Sequence, residues 1–264
     1  PMGMTMMIAP MLQQFIGDVK GFSMGFRFSD DEAILAESRL LAYMPNGRVG
    51  LTALLDTETE REDLPDFVGL NASTFSRVNF EFQGLPPIVR QAMMMFPMAA
   101  PQEGPQPHEI VERFTAAMGQ QMYMMEVIER PLKAGSVGNL VIVECPDMQE
   151  METALASIGM LEPRDFAGGR IFDVDMSGMM MGGPGMGGMQ MEPQGLGLAG
   201  GYMFSGPMMA VEQALRSLAE DEHTTLASDP IFGRAVGFLP TDPVVAWGYQ
   251  DVVASAEADR KSVV

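Results

Sequence analysis

The sequence predicts an α+β fold made of two tandem ferredoxin-like units of the βαββαβ type, each with an antiparallel sheet, the first lacking its opening strand. Three observations lead there. The second half reads strand, helix, strand, strand, helix, strand, with a short extra helix before the last strand. The first half repeats that order with its front missing. Between them lies an interval holding Pro97, Pro101, Pro105 and Pro107, a composition suited to a linker. The expected division is an N-terminal unit over 1–96, a linker over 97–107 and a C-terminal unit over 108–264.

In the first unit, Met7, Met11, Phe15 and Ile16 share one side of a helix predicted over 6–19. Phe22, Met24, Phe26 and Phe28 alternate, which is the pattern of a strand. A turn at Ser29, Asp30 and Asp31 leads to a second strand over 34–43. Residues 50–56 suit a helix, with a hairpin through Asn46-Gly47 as the rival reading. Phe75, Val78, Phe80 and Phe82 mark a strand over 73–82. A missing first strand leaves an open sheet edge, to be filled by residues upstream of a truncated start or by a strand from elsewhere. Leu85-Pro86-Pro87 then opens a Met-rich helix.

In the second unit, Pro107 opens a helix carrying Ile110, Phe114 and Met118, and residues 121–129 form an additional strand. The apolar run from Leu140 to Cys145 is a strand closed by Pro146. Asp147 and Glu150 have the spacing of a capping box before a helix with Met148, Met151, Leu155 and Ile158. Strands follow over 170–175 and 197–204. A helix after Pro207 aligns Met208, Val211, Leu215 and Leu218. Ser228-Asp229-Pro230 starts a short helix, and Val245, Trp247 and Tyr249 alternate on the closing strand.

Leu226-Ala227-Ser228-Asp229-Pro230-Ile231-Phe232, followed by Phe238-Leu239-Pro240-Thr241-Asp242, resembles a bacterial family known only as a domain of unknown function. The strand-helix block from Leu140 to Ile158, the Gly168-Gly169-Arg170-Ile171 strand entry and the strand leading into Ser205-Gly206-Pro207 share the resemblance. It covers roughly residues 120–255. Members of that family are exported or membrane-tethered and have no established catalytic residues. The resemblance therefore implies an exported protein, in the periplasm or cell envelope. The chain opens Pro1-Met2-Gly3, with no signal peptide visible.

Charge and composition narrow the function. A formal charge of −19 repels phosphate backbones and anionic lipid surfaces. No run approaches the roughly 20 apolar residues of a membrane span. Cys145 is the single cysteine and lies in an apolar strand, so it reads as a buried, inert thiol. The two histidines, His108 and His223, are far apart, which does not suit a zinc site. Neither a nucleophile elbow nor a phosphate loop is present. The acidic groups at Asp30, Asp31 and Glu32, at Glu220, Asp221 and Glu222, and at Asp173 and Asp175 read as solvated charge.

Residues 176–195 stand out: seven are Met and seven are Gly, in the expected hairpin connection between two strands. Met181, Met186, Met189 and Met191 are the candidate metal ligands, since neutral thioethers select Cu(I) or Ag(I). The leading expectation is a non-catalytic structural or protein-interaction module without a cofactor. It would meet another protein, or another copy of itself, through an open sheet edge; periplasmic soft-metal binding is the alternative.

Overall fold

The computed structural model describes residues 19–28, 36–55, 64–69, 71–95, 106–132, 136–157, 163–174, 194–220, 224–237 and 245–262. Within them, β1 (Gly21–Phe28) and β2 (Ala36–Tyr43) form a two-stranded antiparallel ladder. Eight more strands form one antiparallel sheet. They are β3 (Ala72–Asn79), β4 (Gln121–Ile128), β5 (Val137–Glu144), β6 (Arg164–Phe166), β7 (Gly169–Val174), β8 (Gln194–Ala199), β9 (Tyr202–Pro207) and β10 (Ala246–Gln250). Across the sheet their order is β10-β3-β4-β5-β9-β8-β7-β6. The helices are α1 (Leu85–Met95), α2 (Pro107–Ala117), α3 (Met148–Ser157), α4 (Met208–Ala219), α5 (Pro230–Val236) and α6 (Val252–Ser262). Among the described residues, no helix is long and apolar enough to cross a membrane.

The fold is thus α+β and antiparallel, but the expected pair of ferredoxin-like sheets gives way to one shared sheet. β3, from the expected first unit, lies between β4 and β10. The edge that a missing strand would have left open is filled by β10, from the far end of the chain. The expected linker over 97–107 falls mostly outside the described residues. Its last two residues, Gln106 and Pro107, begin α2, where the Gln106 amide donates to Glu109 Oε2 at 3.0 Å.

Helix placement departs from the two-helices-on-one-face pattern for a reason visible in the strands. Neighbouring residues point to opposite sheet faces, and several neighbours are both apolar: Ile142 and Val143, Ile171 and Phe172, Leu198 and Ala199, Met203 and Phe204. In each pair the two side chains are buried in different clusters. On the first face, Ile142, Ile171 and Phe204 pack with Val211 and Leu215 of α4, Phe232 of α5, and Phe67 and Val68. On the second, Val143, Phe172, Leu198 and Met203 pack with Met151 and Leu155 of α3 and Ala117 of α2. A sheet that is apolar on both faces needs cover on both.

Local signals set most boundaries. The Glu150 amide donates to Asp147 Oδ1 at 2.9 Å, so the expected cap starts α3. Asp229 Oδ1 accepts from the amides of Ile231 and Phe232 and starts α5. Residues 50–54 form a 3-10 turn rather than an α-helix. The strand expected over 197–204 is two strands, β8 and β9, joined at Gly200 and Gly201. Both glycines have positive φ, 58° and 82°, as a tight two-residue hairpin turn requires. The expected helix over 6–19 lies outside the described residues except for Val19.

Candidate functional site

The two margins of the large sheet differ. β6 is three residues long and carries Arg164 and Asp165. Arg164 pairs with Glu212 at 2.6 Å and lies over the Phe166 ring, as does Arg216. Short length and charge are ways in which proteins blunt an edge. β10, at the opposite margin, reads Ala-Trp-Gly-Tyr-Gln, with no charge and no proline.

The geometry of β10 follows from its pairing with β3. Asn79 donates its amide to Val245 O at 2.9 Å, and Asp251 donates its amide to Ser73 O at 2.7 Å. In an antiparallel ladder the hydrogen-bonding direction alternates along the strand. Trp247 and Tyr249 therefore share the inward-directed set, and the backbone groups of Ala246, Gly248 and Gln250 point outward. These three residues are exposed, and among the described residues no strand lies on the outer side of β10.

Side chains hold β10 firmly from one face. Trp247 lies 5.5 Å from Phe75, and Tyr249 meets Phe232 edge-to-face at 5.1 Å. Both aromatic residues are half-buried against the first core rather than displayed on a binding face. Beneath Trp247, the neighbouring position of β3 is Arg77, which is buried.

Exposed apolar groups lie on the helices that precede and follow this strand. Ile231 precedes the Phe232 that meets Tyr249 edge-to-face, and Val252 and Val253 follow β10 by two and three residues; Val253 is 79% exposed. On the second sheet face, Met124 and Val141 stand side by side in register, 41% and 43% exposed. Ser76 of β3 lies directly across from Met124, and Gly248 of β10 lies beyond Ser76. Two carboxylates lie beside Tyr249. Burial raises the Tyr249 phenol above its ordinary range, and Asp251 and Asp229 add to the rise.

A cleft of about 360 Å³ lies elsewhere, lined by Met148, Glu152, Asp165, Gly168, Gly169, Arg170 and Leu198. Arg170 and Glu152, both in its lining, form an ion pair at 2.6 Å.

The residues singled out from sequence scatter. Met181, Met186, Met189 and Met191 lie outside the described residues, as do Asp30, Asp31, Glu32, Asp175, Asp221, Glu222 and His223. Asp173 and Glu220 are exposed. Among the described residues no group of three or more His, Cys, Asp or Glu is placed to hold a metal. β7 and β8 pair as far as Val174 and Gln194, so the Met/Gly segment does join two neighbouring strands. Cys145 is fully buried, and its thiol is pushed up to about 11 by burial and by the Asp147 carboxylate. An open sheet edge was expected, but beside the first unit's missing strand; its position at β10 was missed because it depends on which strand lies last in the sheet. Its one local signal is the absence of charge and proline from β10.

Compared with protein-family models, curated proteins and solved structures, the chain finds no match.

Proposed function

We propose that the protein is a non-catalytic interaction module that takes a partner by strand addition along β10. One observation carries the reading: Ala246, Gly248 and Gln250 hold three donors and three acceptors outward on a strand anchored by Trp247 and Tyr249. Added backbone hydrogen bonds supply affinity in this mode of recognition, at a net of about 0.5–1.5 kcal/mol each. The exposed Ile231, Val252 and Val253 add apolar area beside the ladder. An exported setting rests on the resemblance over the second half and is checked by fractionating cells that make the native protein.

A photoactivatable amino acid at Gln250 should crosslink in the native cell to a discrete partner. The same group at Gln149, exposed on α3, serves as the control. Adducts of equal yield from both positions, or none from position 250, would count against docking at this margin.

A further inference from the structure

We infer that the occupant of the β10 margin is an extended, basic segment of another protein, which adds to the sheet as a ninth strand. This rests on the strand-addition reading and names the chemistry of the partner.

Three features select that occupant. The outward ladder at Ala246, Gly248 and Gln250 matches an extended backbone, since its groups repeat every second residue. The flanking apolar side chains, Ile231, Val252 and Val253, favour a segment that alternates apolar residues with charged ones. The charge beside Tyr249 is negative, while Arg77 is buried across from Trp247 and Arg234 is exposed further along α5. Asp229 and Asp251 cap the helices on either side of Tyr249, and both raise its phenol. Arg130, exposed, is paired with Glu257 of α6 at 3.1 Å.

A second copy of this chain fits the same ladder but not the same field. It would bring a formal charge of −19 against −19, and at the margin its own Asp229 and Asp251 against their twins. A lysine- or arginine-bearing strand meets the opposite potential. Attraction of this kind between exposed groups weakens as salt is added.

The test uses the full chain and three synthetic octapeptides in which valine alternates with lysine, serine or glutamate. Binding is read by fluorescence anisotropy at low and high salt, and the docking position by amide exchange in NMR spectra. The lysine peptide should bind at least tenfold more tightly than the glutamate peptide and lose that advantage in high salt. Its binding should protect the amides of Ala246, Gly248 and Gln250. Ala246→Pro removes one outward donor at the first strand position and should weaken binding at least tenfold. Asp229→Asn with Asp251→Asn keeps both caps, because asparagine caps as well as aspartate. That pair should cut the preference for lysine several-fold and leave the thermal midpoint nearly unchanged.

The outcomes separate the two claims. Equal binding of the lysine and glutamate peptides, with the three amides protected, overturns the basic partner and leaves strand addition standing. Binding without protection of those amides, or no binding by any peptide, overturns the inference at this margin. A dimer in sedimentation that Ala246→Pro dissociates would make a second copy the occupant and overturn it as well.

Discussion

Gly138 marks a close approach of α4 to the sheet. A Cβ at that position would lie 2.7 Å from the Cβ of Ala210, closer than two such atoms come in folded proteins. Gly197 plays the same part further along, beneath Val211 and Leu215. Gly138→Ala should therefore destabilise the protein by about 1–3 kcal/mol, as overpacking does. Combining it with Ala210→Gly should cost less than the two single changes together, since the clash is removed; chemical denaturation of the four proteins reads the difference. Cys145 makes a second prediction at this scale. With its thiol raised from 9.0 to about 11, it stays protonated and should resist iodoacetamide at pH 8 until denaturant is added. The sign of the linkage is fixed: the folded state holds the proton longer, so stability falls as pH climbs from 9 towards 11, by roughly 2–3 kcal/mol. The inert thiol was legible in the sequence, because the apolar run from Leu140 predicts burial. The space above Gly138 was not, because it depends on a helix some 70 residues later in the chain.

Single elements are governed by short-range chemistry, and there the sequence is most informative. Ser228-Asp229-Pro230 announces α5, and the structure shows the Asp229 carboxylate accepting from two amides of its first turn. Asp229→Ala should cost about 1 kcal/mol, whereas Asp229→Asn should cost far less. The asparagine should also bring the Tyr249 phenol closer to its ordinary range, because it removes one of the two carboxylates that raise it. Ultraviolet titration, with Tyr249→Phe as the reference, checks this. In the parent protein, stability conferred by the protonated phenol is lost as pH rises from the ordinary tyrosine range through the raised value. Where elements were misread, the local signal was weak or overridden. Apolar residues continue from Leu196 to Phe204, masking the Gly200-Gly201 turn that divides β8 from β9. β6, at three residues, is too short to show a period.

For the whole molecule, the α+β class was legible but the arrangement was not. Consecutive apolar residues such as Ile142-Val143 and Met203-Phe204 did carry the sign of a sheet covered on both faces. The neighbour of β3 could not be read, because strand pairing between distant segments leaves no periodicity behind. The site shares that fate: its residues are ordinary, and only the position of β10 at a margin makes them available. Overall charge gives a prediction at this scale. At −19, the folded chain repels itself, so moderate salt should raise the thermal midpoint by screening that repulsion. Calorimetry across a sodium chloride series checks it, and a flat or falling midpoint would show that attractive pairs dominate.

The seam between β3 and β10 also governs how the protein is born. Roughly 170 residues of chain separate Val78 from its partner Ala246, so at about 5–20 residues per second the ribosome takes on the order of 10–30 s to deliver one after the other. Throughout that interval one flank of β3 waits bare, with Phe75 lacking the ring of Trp247 that later shields it. The nascent chain is most vulnerable to misassembly then, and a holding chaperone would matter most before β10 emerges.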